Sequence, residues 1–198
     1  MERHKATLAD VDILISAVTG TAILRQKNVI LAAKEAGVKR VIPCDFATPG
    51  AKGVRELHDQ VRRYHQLTVL LAERDPLTPV YQKLGIREFI KEHGIPHTFI
   101  DVGWWMQIYL PIPLRSAAPP EFRALTYRIV GDGKTRILLT DNAHIGTFVA
   151  RIVADPRTLN QAVIVWEDQA SQLEAQEIGA RVSGDGNKLK ELYVHVSC

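Results

Sequence analysis

The stretches that decide the fold class are DILISAV at residues 12–18 and AAKEAGVKRVIPCD at residues 32–45. Each holds a short apolar run rich in valine or isoleucine, and in the second the run follows a helical stripe that stops at Gly37. Such runs predict strands buried on both faces, and a glycine after a helical stripe predicts a left-handed cap. The alternation predicts an α/β fold, with a mostly parallel sheet, helices on both faces and right-handed crossovers.

The same alternation continues along the chain. KLGIREFI at residues 83–90 predicts a helix that ends at Gly94. The run Ser171-Gln172-Leu173-Glu174 has the spacing of a capping box. Asp-Gly at 132–133, between apolar runs at 127–130 and 136–139, predicts a β-hairpin. The remaining predicted strands are 11–18, 39–45, 97–102, 162–166 and 192–196, and the remaining helices are 21–36, 144–154 and 171–182.

One element expected of such a fold is missing from the sequence. A dinucleotide-binding domain normally begins with a strand and a glycine-rich loop, whose backbone N–H groups bind the pyrophosphate at a helix N-terminus. The GDG runs at 131–133 and 184–186 predict turns instead, because neither follows a strand and opens a helix. We therefore expect a partial Rossmann-like fold without its first strands and glycine-rich loop, which leaves a sheet edge uncovered at residues 11–18.

Composition excludes several functional classes. The 198 residues are 46% hydrophobic and 24% charged, as in ordinary globular proteins. The net charge of +3 is dispersed, which argues against nucleic-acid partners. No apolar stretch approaches the ~20 residues that span a bilayer. Two cysteines, Cys44 and Cys198, form neither a disulfide framework nor a metal motif, so we expect a cytoplasmic protein without a metal site.

At residues 32–45 and 83–103 the sequence resembles the isoflavone-reductase-like and NmrA-like group of atypical short-chain dehydrogenases. The fungal members are the most similar, through Gly103-Trp104-Trp105 and the DPRTLN run at residues 155–160. The resemblance covers about four fifths of the chain. It implies a Rossmann fold that binds NADP(H) and reduces a small phenolic substrate, or a regulator that binds the nucleotide without turnover.

The resemblance also implies roles for individual residues. Lys83 matches the catalytic lysine, which hydrogen-bonds a ribose hydroxyl and relays a proton. Arg87 follows one helical turn later on the same face. Trp104 and Trp105 are implied substrate contacts, although core packing is the alternative for both. The implied cofactor-binding residues are Ser16, Ala17, Val18, Cys44, Asp45, Phe46, Lys83, Arg87, Gly103 and Trp104.

We expect one incomplete domain, with the remaining Rossmann part at 1–103 and a substrate-side part at 104–198. Residues 61–82 match no part of the family pattern, and their removal joins His58-Asp59-Gln60 directly to Lys83. Because codons for both ends of this insert permit splice sites, we hypothesise a translated intron. A lineage-specific loop, or a helix extending over residues 55–72, are the alternatives.

These observations favour an NADPH-dependent reductase of a small aromatic molecule as the function. We expect this chain to be impaired, and its cofactor binding to be weak, because the pyrophosphate loop is missing. An NADP-binding redox sensor without catalysis is the second hypothesis, and a gene fragment without a stable fold is the third. The sequence indicates no oligomeric state.

Overall fold

A computed structural model describes residues 2–46 and 79–196. Contacts between residues divide these into a first unit, formed by 2–46, 79–101 and 146–164, and a second unit, formed by 102–145 and 165–196. The predicted partition at 103/104 stays a prediction; by contacts, residues 146–164 group with the first unit.

The helices and strands follow one another along both units. In chain order they are α1 (Glu2–Thr7), β1 (Ile13–Ile15), α2 (Gln26–Glu35), β2 (Arg40–Ile42), α3 (Pro79–Glu92), β3 (Thr98–Asp101), β4 (Trp104–Trp105), α4 (Met106–Tyr109), α5 (Pro120–Thr126), β5 (Arg128–Val130), β6 (Ile137–Thr140), α6 (Ile145–Ala154), β7 (Gln161–Ile164), β8 (Asp168–Ala170), α7 (Gln172–Ser183), α8 (Asn187–Lys190) and β9 (Val194–Val196). Short 3-10 helices lie at Gly20–Arg25, Asn142–His144 and Pro156–Thr158.

The sheet of the first unit is parallel. β1 pairs with β2 in a register that places Leu14 opposite Val41, and a parallel bridge joins Val41 to His97 just before β3. β3 pairs with β7 over four residues. The strand order is therefore β1-β2-β3-β7, which confirms the predicted parallel α/β arrangement.

Helices cover both faces of this sheet. Val41 and Phe99 belong to a buried core that includes Leu8, just after α1, and side chains of α2 and α3. Because successive side chains of a strand point to opposite faces, Arg40 lies on the other face. There its Nη1 donates to the carbonyl oxygens of Ile152 and Val153 in α6, at 3.2 and 3.3 Å. The two-faced arrangement agrees with the prediction.

The second unit is built from shorter strands. β6 lies between β4, with which it is parallel, and β8, with which it is antiparallel. β5 pairs with β9 in parallel. Helix α7 begins with the predicted capping box: Ser171 accepts from the Glu174 amide, and Glu174 accepts from the Ser171 amide.

The predicted hairpin around Asp132-Gly133 is wrong. Strands β5 and β6 exist, but each pairs with other strands. A two-residue type I′ hairpin turn needs a positive φ at both central residues. Here Gly131 and Gly133 have φ of 59° and 66°, whereas Asp132 is not among the residues with positive φ. The turn therefore does not return the chain antiparallel to β5.

The predicted helix ends at Gly37 and Gly94 agree with the structure, whereas the predicted start of α2 differs from it. Gly37 and Gly94 have φ of 79° and 58°, the left-handed conformation expected of a cap. The helix predicted at 21–36 begins instead as the 3-10 helix Gly20–Arg25 and becomes α-helical at Gln26.

The predicted insert 61–82 lies mainly outside the described residues, as does the alternative helix over 55–72. Its last four residues, 79–82, belong to α3, which continues through Lys83 to Glu92, so the 82/83 junction lies within one helix. No helix in the two described ranges has the length and hydropathy that crossing a bilayer requires.

Candidate functional site

The carboxyl ends of β1 and β2 bring two predicted groups of residues together. Residues 16–18 follow β1, and residues 44–46 follow β2. The Ser16 amide donates to the Ile42 carbonyl at 2.9 Å, and the Cys44 Sγ donates to the Val18 carbonyl at 3.1 Å. Ligands of open α/β sheets bind at this edge. The described structure therefore places both groups where a ligand site is expected.

Gln26 is a residue of this edge that the sequence reasoning missed. Its side chain is 1% exposed. The Oε1 accepts from the Cys44 amide at 2.8 Å, and the Nε2 donates to the Ile23 carbonyl at 3.1 Å. A polar residue within an otherwise apolar buried stripe was the available signal. Gln26 fixes the backbone from which Cys44 and the next residue, Asp45, project.

The carboxyl ends of β2 and β3 hold a buried charge cluster formed by Asp45, Arg87 and Asp101. The Arg87 Nη2 donates to the Asp101 Oδ1 at 2.5 Å, and the Arg87 Nε donates to the Asp45 Oδ2. The three side chains are 6%, 8% and 0% exposed, in that order. The guanidinium also lies over the ring of Phe99, 4.9 Å from its centroid.

This cluster gives Arg87 two protein partners that the sequence did not indicate. Its fork is directed at two carboxylates, and such charge-assisted hydrogen bonds are the strong ones. A cofactor-binding role for Arg87 stays a prediction. What the geometry shows is a structural role: Arg87 joins α3 to the ends of two strands.

Lys83 lies one helical turn before Arg87, on the same face of α3. Its side chain is half-buried, and its charge acts on the carboxyl group of Asp45. Within residues 2–46 and 79–196, the Lys83 ammonium has no hydrogen-bond partner. A half-buried ammonium next to a carboxylate, with donors to spare, is suited to a ligand hydroxyl.

The pKa of the Asp45 carboxyl group lies above its usual value. Burial raises its pKa to about 6, Arg87 and Lys83 oppose the shift, and Asp101 adds to it. Because the folded pKa lies above the unfolded one, the stability that Asp45 contributes is full below pH ~4 and is lost as the pH rises to about 6.

We therefore expect Asp45→Asn to flatten the pH dependence of unfolding between pH 4 and 6. In urea titrations the wild-type free energy of unfolding should fall by on the order of 3 kcal/mol between pH 4 and 6, because Asp45 ionises in this range. Asp12→Asn, at an exposed pair with Lys39, is the control and should leave the slope as it is. An equal slope in Asp45→Asn and the wild type would contradict the assignment.

The remaining predicted residues, Gly103, Trp104 and Trp105, lie in the second unit. Trp104 packs against the buried core formed by Ile137, Leu139 and Ala170, and its ring lies 6.4 Å from that of Tyr109. Both tryptophans are half-buried. The packing of Trp104 agrees with the core alternative, and its contact with a ligand stays a prediction.

Two histidines, His97 and His144, have protein partners. The His97 Nδ1 lies 2.8 Å from the Ile95 carbonyl, and burial lowers the pKa of this imidazole. The His144 Nδ1 lies 2.5 Å from Glu167, whose hydrogen bond raises the pKa of His144. The part of the chain that the structure describes has no group of three or more side chains suited to hold a metal.

The described residues offer groups suited to a ligand at the carboxyl edge of the sheet. Lys83 offers an ammonium donor, and the ends of β1 and β2 offer small residues with ordered backbone. The pyrophosphate end requires a run of backbone N–H groups from a glycine-rich loop, which the sequence does not contain.

Known proteins resemble this chain along most of its length. The scan of family descriptions gives no match. The chain is 30% identical to asnovolin J 5′,6′-dehydrogenase of Aspergillus novofumigatus over 191 residues, which cover 93% of this chain and 51% of that protein. It is 31% identical to isoflavone reductase homolog A622 of Nicotiana tabacum over 159 residues, which cover 79% of this chain and 45% of that protein.

A solved structure described as AtPrR2 with NADP+ and (+)pinoresinol superimposes with a TM-score of 0.67 at 26% identity, covering 99% of this chain and 59% of that one. The chain thus spans about half the length of the curated relatives it matches and less than two thirds of the solved structure. Sequence and fold point to the same group of proteins.

Proposed function

The chain belongs to the isoflavone-reductase-like and NmrA-like family, and on that premise we propose that it serves an NADPH-dependent reduction of a small aromatic molecule. The observation that carries the proposal is the position of Lys83. Its half-buried ammonium lies on α3 one turn before the buried charge cluster, beside the carboxyl end of β2. Because the chain spans part of its relatives, activity and substrate are proposals for this protein.

In the proposed reaction, NADPH when bound supplies the hydride. The Lys83 ammonium donates a hydrogen bond to a ribose hydroxyl and passes a proton to the oxygen of the reduced substrate. Ser16, Ala17 and Val18 line the cofactor from the end of β1. From the end of β2, Cys44, Asp45 and Phe46 do the same.

The proposal also includes three residues of the second unit. The resemblance implies cofactor contacts for Gly103 and Trp104 and substrate contacts for Trp104 and Trp105, and these roles are part of the proposal, since aromatic rings favour stacking with one another. We also propose a cytoplasmic protein.

Lys83→Met tests the proposal, with Lys91→Met on the same helix as the control. NADPH oxidation, followed at 340 nm with a panel of small phenolic substrates, should fall by about 10²-fold or more in Lys83→Met. NADPH binding, measured by fluorescence, should weaken by only about tenfold, because one hydrogen bond is lost. Lys91→Met should match the wild type in both.

Other outcomes identify the competing hypotheses. Binding of NADPH that Lys83→Met leaves unchanged, without turnover by the wild type, would favour a nucleotide-sensing regulator. Absence of binding, together with a non-cooperative unfolding transition, would favour a fragment without function.

A further inference from the structure

The second unit has an apolar groove whose lining comes from α5, from β5 and from the residues around the start of β9. Its volume is about 430 Å³, which lies within the range of small-molecule sites. Tyr127, which is 7% exposed, lines the groove, as do Leu192 and Val194, which are 41% and 57% exposed. Large apolar side chains that stay exposed within one groove indicate a surface that binds an apolar group.

The lining of this groove also contains two arginines and, among the described residues, no carboxylate. Arg128 in β5 is half-buried and lies directly opposite Val194 in the pairing of β5 with β9. Residues opposite each other on paired strands point to the same face of the sheet, so the Arg128 side chain lies beside that of Val194. The groove therefore places a cation next to apolar surface.

The other polar groups near the groove have protein partners. The Arg123 Nη1 donates to two carbonyls of the preceding loop, at 2.8 and 3.1 Å. The Tyr127 hydroxyl donates to the Ile112 carbonyl at 2.5 Å, and Asp185, whose charge acts on Tyr127, accepts from the Leu114 amide at 2.9 Å. Within residues 2–46 and 79–196, the Arg128 guanidinium has no hydrogen bond or ion pair. Its positive charge is therefore left for a ligand.

We propose that this groove binds a small amphipathic carboxylate, with an aliphatic body against Leu192 and Val194 and the carboxylate on Arg128. The guanidinium fork matches a carboxylate through two parallel N–H···O bonds. The apolar lining is mainly aliphatic, which favours an alkyl chain as the body of the ligand. The groove belongs to the second unit and Lys83 to the first, so the inference does not depend on the proposed function.

Octanoate, added to the full chain below the concentration at which it forms micelles, tests the proposal. With leucine and valine methyl groups labelled with 13C, the Leu192 and Val194 resonances should shift and saturate. 1-Octanol has a similar body without the charge and should bind about tenfold more weakly or worse, because the charge-assisted hydrogen bonds are missing. Equal affinities for the two molecules, or shifts that do not saturate, would overturn the proposal without need of a variant.

Arg128→Met removes the charge and keeps an apolar stem. The dissociation constant for octanoate should rise by about tenfold or more, whereas that for 1-octanol should stay unchanged. Arg181→Met is the matched control, since Arg181 is exposed on α7 in the same unit and does not line the groove. It should bind octanoate as the wild type does. Unchanged octanoate binding in Arg128→Met would contradict the role of this arginine.

Val194→Asp locates the ligand within the groove. The new carboxylate would stand opposite Arg128 and neutralise it, so octanoate binding should be lost. Val182→Asp, at a position on α7 that is 72% exposed and outside the lining, is the control and should keep wild-type binding. Urea unfolding curves show that each variant is folded. Wild-type affinity in a folded Val194→Asp variant would place octanoate elsewhere and overturn the proposal.

Discussion

Arg87→Met is expected to lower the free energy of unfolding by about 3–5 kcal/mol at pH 7. Methionine fills a similar volume but removes the guanidinium to which both Asp45 and Asp101 are hydrogen-bonded. Both side chains are less than 10% exposed, so water does not compensate the lost charge. The stacking of the guanidinium over Phe99 is lost as well. Urea denaturation followed by circular dichroism measures the difference.

Arg40→Met separates charge from hydrogen bonding. Arg40 is 7% exposed and donates to two carbonyls and to the Thr158 hydroxyl, and among the described residues it has no hydrogen bond to a carboxylate. Its loss leaves neutral acceptors unsatisfied and should cost about 1–3 kcal/mol.

A triple variant with Arg87→Met, Asp45→Asn and Asp101→Asn should recover most of the stability, because no uncompensated charge remains buried. Equal losses in Arg87→Met and Arg40→Met, without recovery in the triple variant, would show that charge is not the cause.

The local part of the fold was predictable from sequence. Strands buried on both faces have continuous apolar runs, and helix ends carry glycines whose φ is positive, such as Gly37 and Gly94. Both signals lie within a few residues along the chain. They identified the parallel sheet, the limits of α2 and α3 at their carboxyl ends, and the cap at Ser171.

The pairing of elements that lie far apart in the sequence was harder to predict. Strands β5 and β6 adjoin an Asp-Gly turn, yet their partners come from other parts of the second unit. The charge cluster shows the same limit: the spacing from Lys83 to Arg87 indicates a shared helix face. It does not indicate that Arg87 is buried against two strand ends. Candidate residues were predictable from the family pattern, and their partners required the fold.

Gly103→Ala is expected to destabilise the chain by about 2–5 kcal/mol. Gly103 has a φ of 66°, and a Cβ built there would lie 2.4 Å from the Leu138 carbonyl oxygen. The neighbour is backbone of β6, so no side-chain rotation relieves the contact, and the pairing of β4 with β6 must shift. The left-handed strain adds to this steric conflict.

Gly184→Ala, in the same unit, measures the cost of left-handed backbone strain without a steric contact. Gly184 has a φ of 77° and nothing within 4 Å of a built Cβ, so the substitution should cost only about 1–2 kcal/mol. Equal losses in the two variants would show that the approach of Leu138 is unimportant. NADPH binding by Gly103→Ala adds a second readout. If binding weakens no more than stability explains, the backbone of β4 and β6 accounts for this glycine. A larger loss of binding would assign Gly103 to the cofactor as well.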